Sequence, residues 1–356
     1  MKKVTVNTAG ILSISLILIL LLVLPVMSAE KKPIKVRLSR HLATHHMMAY
    51  VAEEKGYFKE EAIQAEWVKF YSSGEVYEAM MADKLDWGQA GIAAPVVFLA
   101  KGAPFKIVGG DAWYSAAVVT KPERAGEFKT MKDFKGKKVA TTRLATGDVA
   151  WRWGVFNAGL DLTKDVTIQE YNSPGDSMAA VLGGHADAVV LWAPFESIAE
   201  TKGLKIVMFT KQIYPHPCCR QVVSNKFIER NGADGVVRFL RAMIKADKFI
   251  KDPKNADEIV DIGEKQLLIG KDVIRKSFIT PEPMLGGEPR TMTSPAMGTE
   301  QSKKFIDMMA EIGYITKEGA ETAKKTMDDQ YLIKAYMDLG LAKTKADAKK
   351  LAEGTF

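Results

Sequence analysis

Apolar and polar positions follow one pattern twice along this chain, about one hundred residues apart. Ile34-Lys35-Val36-Arg37-Leu38 alternates with a period of two, the mark of a half-buried strand. Over 45–56, Met47, Met48, Tyr50, Val51 and Ala52 fall at helical spacing, and Gly56 is placed as a C-cap. The same reasoning predicts strands at 65–70, 86–90 and 106–109, with helices at 75–83 and from Pro95 to residue 100. The second copy predicts strands at 137–141, 166–171, 188–191 and 205–210, and helices at 147–157 and 177–182. Strands and helices alternating across short connections imply parallel βαβ units. The apolar runs 116–120 and 221–224 are placed to cross between the copies. After Lys226 the pattern turns helical, near 234–251, 254–269 and 300–312, while the Pro/Gly/Thr-rich stretch 281–295 reads as loop.

The copies share residues as well as rhythm. Tyr71-Ser72-Ser73-Gly74 returns as Tyr171-Asn172-Ser173-Pro174-Gly175, Asp86 as Asp187, Pro95 as Pro194, and Leu42-Ala43-Thr44 as Leu144-Ala145-Thr146. One α/β unit used twice predicts two lobes with a ligand cleft between them, which suits 356 residues. The expected boundaries are a leader at 1–29, a discontinuous first lobe at 30–118 plus 224–356, and a second lobe at 119–223. Lys2 and Lys3, the apolar run 11–27 and the small residues Ser28-Ala29 have the layout of a secretory signal, with a retained anchor as the alternative. The expectation is an exported, periplasmic or otherwise extracytoplasmic monomer.

Charge narrows the partners. The formal net charge of +7 falls to +5 without the leader, and no dense Lys/Arg block interleaves with aromatics, so nucleic acid is not expected. A mild positive excess favours anionic ligands. There is no HExxH, no Walker or GxGxxG loop and no nucleophile elbow, so neither an enzyme nor a cofactor is expected. Asp86 and Asp187 precede strands, where a turn-forming Asp is ordinary, and are read as structural.

The run from His45 to Glu61, His-His-Met-Met-Ala-Tyr-Val-Ala-Glu-Glu-Lys-Gly-Tyr-Phe-Lys-Glu-Glu, resembles the opening helix of nitrate/sulfonate/taurine-type solute-binding proteins. Ser73-Gly74, Asp86, Gly91 and Pro95, and later Asp187-Ala188 with Trp192-Ala193-Pro194-Phe195, are similar to that family's later signatures. The resemblance implies an α/β periplasmic-binding-protein type II fold: two lobes, two hinge strands and a helical C-terminal extension. It implies capture of a small anionic or heteroaromatic solute by hinge closure, for delivery to an ABC transporter permease. Membrane contact would come only through that permease or a retained leader. Because the superfamily also holds a pyrimidine-synthesising enzyme, an enzyme of that kind is an alternative, as is an anchored sensory or metal-chelate receptor.

Ligands of doubly wound sheets sit beyond the carboxyl ends of the strands, where the unpaired N–H groups of helix starts attract anions. That geometry selects Arg40, Thr44 and His45 after the first strand, Tyr71 and Ser73 after the second, and Gly91 after the third. In the second copy it selects Thr146, Gly147, Asp148, Ser173 and Trp192, with helix capping as the alternative role for Thr146 or Asp148. Arg220 is read as a bidentate partner for an oxyanion, or as an interlobe ion pair. Cys218 and Cys219 are read as buried packing residues, as pocket thiols or a vicinal disulfide, or as metal ligands with nearby histidines. His41 and His45 are four apart, but the helix is expected to start near His45, so no metal site is expected there. Trp192 leads the candidates for stacking a flat ring, followed by Tyr71, whereas Trp87 and Trp153 are assigned to the core.

Overall fold

The period-two runs become strands. In the computed structural model, which describes residue 1 and residues 32–354, they begin with β1 (Ile34–Arg40), β2 (Ile63–Lys69), β3 (Trp87–Gly91) and β4 (Phe105–Tyr114). The second copy gives β5 (Ala116–Thr120), β6 (Lys138–Thr142), β7 (Thr167–Tyr171), β8 (Ala188–Trp192) and β9 (Lys205–Phe209). β10 (Pro217–Ser224) and β11 (Thr291–Thr293) complete the set. The expected leader lies outside the described residues apart from Met1, and no helix among the described residues is long and apolar enough to cross a membrane.

Two sheets result, ordered β11-β4-β10-β3-β1-β2 and β7-β6-β8-β5-β9. The order β2-β1-β3-β10-β4 in the first therefore recurs as β7-β6-β8-β5-β9 in the second. In each, the second strand of that order (β1, β6) pairs in parallel with both neighbours, and the third (β3, β8) pairs antiparallel with the fourth. The repeat seen in the sequence is a repeat of topology.

The crossings differ from expectation. Residues 116–120 belong to the second sheet and 221–224 to the first, so the chain changes sheet at Tyr114–Ala116 and between Phe209 and Pro217. Tyr114 and Ser115 turn that first corner at φ 59° and 70°, a left-handed conformation that side-chain-bearing residues adopt at a cost of about 1–3 kcal/mol. The chain thus changes sheet near 115 and 210–216, a few residues before each expected crossing. The stretch 281–295 is not all loop, because β11 adds an edge strand to β4. Three residues between prolines are too few to show a period.

The first copy supplies helices α1 (Met47–Glu54), α2 (Ser73–Met81) and α3 (Ala93–Leu99). The second supplies α4 (Thr146–Asn157), α5 (Pro174–Leu182) and α6 (Phe195–Thr201). The C-terminal part opens with α7 (Asn225–Ile250), α8 (Ala256–Leu267) and α9 (Thr299–Glu311). Helix α7 seals the first core: Phe239 stacks on Trp87 at 3.9 Å between ring centroids, and Phe227 meets its edge. Burying one such side chain is worth about 1.5–3 kcal/mol. In the second sheet Val119 and Val189 face one core, while Val118, Val190 and Trp151 face the other, as alternation requires.

The repeated aspartates do one structural task twice. Asp86 accepts the Arg37 N–H at 3.0 Å, and Asp187 accepts the Lys138 N–H at 2.7 Å, tying the start of the third strand to the first in each lobe. Asp86 also receives the Arg37 guanidinium at 2.9 and 2.7 Å and contacts Arg230. Burial pushes the Asp86 carboxyl up, but the bonds from Arg37 outweigh it and hold the group below its ordinary value. A depressed carboxylate contributes stability that is present above its unfolded pKa and lost as pH falls through the folded value. Asp86→Asn is therefore expected to cost about 1–3 kcal/mol at pH 7, discounted because Arg37 and Arg230 are 30% and 47% exposed. Urea unfolding should show the gap between wild type and variant closing below about pH 4; a gap independent of pH would contradict the assignment.

Candidate functional site

The helix starts of both copies face one small cavity of about 20 Å³, which is room for a single water-sized body. His41, Ala43, His45 and His46 line it from the turn after β1, Ser73 from the start of α2, and Gly91 from the end of β3. Ala145, Thr146, Gly147 and Asp148 line it from the start of α4, with Val190, Leu191 and Trp192 from β8 and Ala116 from β5. Cys218 and Cys219 complete the wall from β10. No Lys or Arg is among these residues.

Thr146 joins the two sides. Its hydroxyl accepts the Ala93 N–H at the start of α3 and donates to the Cys218 carbonyl, both at 3.3 Å. Nearby, the Thr44 N–H reaches the Ala193 carbonyl and Trp192 Nε1 reaches the Leu42 carbonyl, again at 3.3 Å each. Gly91 permits this approach, since a Cβ there would stand 2.5 Å from Thr146 Oγ1.

Adjacent strand residues normally point to opposite faces. Here the register of β10 against β4 slips on both sides of Cys219, an irregularity that re-aims side chains. Both thiols consequently line the cavity, with their sulfurs 3.6 Å apart. The Cys219 thiol and the nearby His45 imidazole hold the Cys218 thiol well below its usual range against the opposing effect of burial, while burial pushes the Cys219 thiol up. Burial lowers His45, but the Cys218 thiolate and, farther off, Asp111 and Glu196 leave it raised. Neither ring nitrogen of His45 makes a hydrogen bond of ordinary geometry, although the ring stands close enough to Cys218 for each to shift the other.

Behind His45 runs a buried chain. Gln221 donates to Asp111 at 3.0 Å, Asp111 bonds His46 Nδ1 at 2.5 Å, and His46 Nε2 meets His41 Nε2 at 2.9 Å. Burial drives the Asp111 carboxyl upward and the His46 imidazole down to about 3, so burial opposes the charged form of each. Burial and the neighbouring His46 likewise lower His41.

Nine of the residues expected at the ligand thus line the cavity: His45, Ser73, Gly91, Thr146, Gly147, Asp148, Trp192, Cys218 and Cys219. Asp148 does so with its carboxylate held by Arg152 Nε at 2.9 Å. The other five do not. Arg40 donates to the Gln266 carbonyl and lies over Tyr50 and Trp67. Thr44 is buried against Thr291 of β11. Tyr71 is 66% exposed, and Ser173 is spent capping α5 through the Asp176 N–H. Arg220 is fully buried on the far side of β10, donating to the carbonyls of Ala112 and Cys219 and to Ser302 Oγ, with Trp113 beneath it at 4.9 Å. Neither reading of Arg220 survives, because the slip in β10 turns it away from the cleft. Sequence reasoning did not select Asp111; a lone acid inside the otherwise apolar run Gly109 to Tyr114 was the available signal.

Comparison with known proteins places this geometry. The profile of the NMT1-like family matches residues 29–263. A Bacillus subtilis (strain 168) protein named as an aliphatic sulfonates-binding protein is 30% identical over 240 residues, covering 66% of this chain and 70% of its own. Among solved structures, the periplasmic nitrate-binding protein NrtA from Synechocystis PCC 6803 superposes with a TM-score of 0.77 at 15% identity, covering 90% of this chain and 91% of its own. The periplasmic aliphatic sulphonate binding protein SsuA from Escherichia coli gives 0.65 at 20% identity, covering 82% and 92%. These likenesses show the fold, which is that of periplasmic binding proteins.

Arg220 supplies a test of the wall behind the site. Burial lowers its guanidinium to about 10, and removing it takes one hydrogen bond from each of two buried residues' carbonyls and leaves a cavity beside Trp113. Arg220→Ala should lose about 2–4 kcal/mol in urea unfolding. A loss below about 0.5 kcal/mol, the size of an ordinary surface change, would contradict this placement.

Proposed function

The chain belongs to the NMT1-like family, and from that footing we propose that it is the extracytoplasmic solute-binding component of an ABC importer, closing two lobes on a small anionic or heteroaromatic solute. The observation that carries this reading is the convergence of helix starts from both copies on one cavity, with Thr146 linking them. Unpaired N–H groups and the helix dipole favour an oxyanion there without a charged side chain. Relatives named for sulfonates and a solved neighbour named for nitrate support the anionic form. Trp192 is the one indole on the cavity wall, so a flat ring would have a single such face to stack on. That relatives are named as binding proteins favours capture over catalysis. The basic, apolar leader supports export to the periplasm, and delivery to a permease as a monomer follows from this reading.

Closure would be finely balanced. The cross-cleft hydrogen bonds of Thr146, Thr44 and Trp192 are each worth about 1 kcal/mol net. Arg290, 5% exposed, adds a grip on α6 through Glu200 at 2.6 Å and Ser197 at 3.1 Å, while Glu282 holds it from its own segment at 2.7 Å. Against these stands the cost of stripping water from the polar groups of the cleft. A solute held at about 1 μM supplies roughly 8 kcal/mol, enough to shift such a balance.

A thermal-shift screen with alkanesulfonates and nitrate tests the reading. At one hundred times its Kd, a matching anion should stabilise the protein by about 2.7 kcal/mol. Gly91→Ala puts a methyl where Thr146 must sit, so it opposes closure and not folding of either lobe. Its solute-free midpoint should stay near wild type while the solute-dependent rise disappears; a full rise in Gly91→Ala would contradict the closure.

A further inference from the structure

The chemistry of the cavity wall is unusual for a place meant only for an oxyanion. It offers two thiols and three imidazoles and no Lys or Arg. We propose that His45, Cys218 and Cys219 form a site for one thiophilic d10 metal ion, of which Zn(II) is the probe. The inference concerns the same cavity as the solute reading but does not depend on transport. It would also supply the positive charge that the lining side chains lack.

Three observations carry it. The first is distance: one ligand atom from each of His45, Cys218 and Cys219 lies within 4.8 Å of the others, and the sulfurs are 3.6 Å apart. With zinc–sulfur bonds of about 2.3 Å, tetrahedral geometry asks for sulfurs about 3.8 Å apart, so the thiols already stand at ligand spacing. The imidazole needs to approach by no more than about 1 Å to reach a bond near 2.0–2.1 Å. The second is an unmet need. Both ring nitrogens of His45 are without a hydrogen-bond partner in a side chain only 1% exposed, and a buried polar group without one costs about 1–3 kcal/mol. The third is size, because about 20 Å³ is room for one ion with the walls as they stand, and a polyatomic solute would need them to part.

The wall is built to present these groups. The irregularity in β10 brings neighbouring cysteines to one side of a strand, where regular alternation would separate them. Ser115 Oγ lies 3.7 Å from Cys218 Sγ, a weak donor contact to that sulfur. Soft sulfur ligands with an imidazole favour zinc or copper(I) over magnesium or calcium, which seek oxygen. Three protein ligands leave a fourth tetrahedral position for water or for a solute atom.

The test uses the full mature chain, reduced with a phosphine and stripped with a chelator. Titration with Co(II) should give thiolate-to-cobalt charge-transfer absorption and the strong visible bands of a tetrahedral ion, saturating at one equivalent with a Kd below about 10 μM. Zn(II) should displace it. Cys218→Ser, Cys219→Ser and His45→Gln should each weaken binding at least about tenfold, or about 1.4 kcal/mol, while the metal-free unfolding midpoint shows that each variant folds. A weak octahedral spectrum, no saturation at one equivalent, or tight binding that survives both serine variants would overturn the site. If those results came with an anion-dependent thermal shift, the metal site would fall and the solute-binding reading would stand.

Discussion

A helix start aimed into a dry space leaves backbone N–H groups that the helix itself cannot satisfy. This fold aims several of them at one another, and that constraint organises the rest of the site. Thr146 meets it on the two-sheet seam, because one hydroxyl can accept from α3 and donate to β10 together. Gly91 follows from the same requirement, as the strand end must come close enough for that hydroxyl to reach past it. What remains unpaired around the cavity is what a guest would be recognised by.

The two sheets follow one pattern yet contribute differently. The second copy gives a helix start and the Trp192 ring. The first gives the histidines, and β10 gives the thiols. Behind them, the hydrogen-bonded chain from Gln221 through Asp111 and His46 to His41 Nε2 fixes two of the three imidazoles, leaving His41 Nδ1 without a partner at its end. His45 stands in front of it with nothing bonded. A hydrogen-bonded layer behind an unbonded imidazole is the arrangement expected where rigidity must position a recognition group.

Much of this was legible in the sequence, for physical reasons. The strands and helices of both copies fell close to their periodic runs, because each buries one face against a neighbour. The equivalence of Asp86 and Asp187 was visible as an offset, and their paired hydrogen bonds to Arg37 and Lys138 show why both positions need a short acceptor. Other features depend on what periodicity does not encode. With strict alternation Cys218 and Arg220 would share a face; one slipped residue in β10 instead pairs Cys218 with Cys219 and sends Arg220 into the wall. Tyr71 and Ser173 sit at strand ends as expected, but local capping fixes the turns there: the Tyr71 N–H bonds Glu75, and Ser173 accepts from Asp176. The lobe crossings lay a few residues from their expected places, since a corner made by Tyr114 and Ser115 at positive φ carries no glycine or proline signal.

The central claim is that the two sheets move together around a captured guest. Small-angle X-ray scattering of the mature protein, with and without a saturating solute, tests it most directly. The saturated protein should match the arrangement described above, near the radius of gyration of about 20 Å expected for a compact chain of this size, with the solute-free protein measurably larger. Identical scattering in both states, with solute bound, would contradict it.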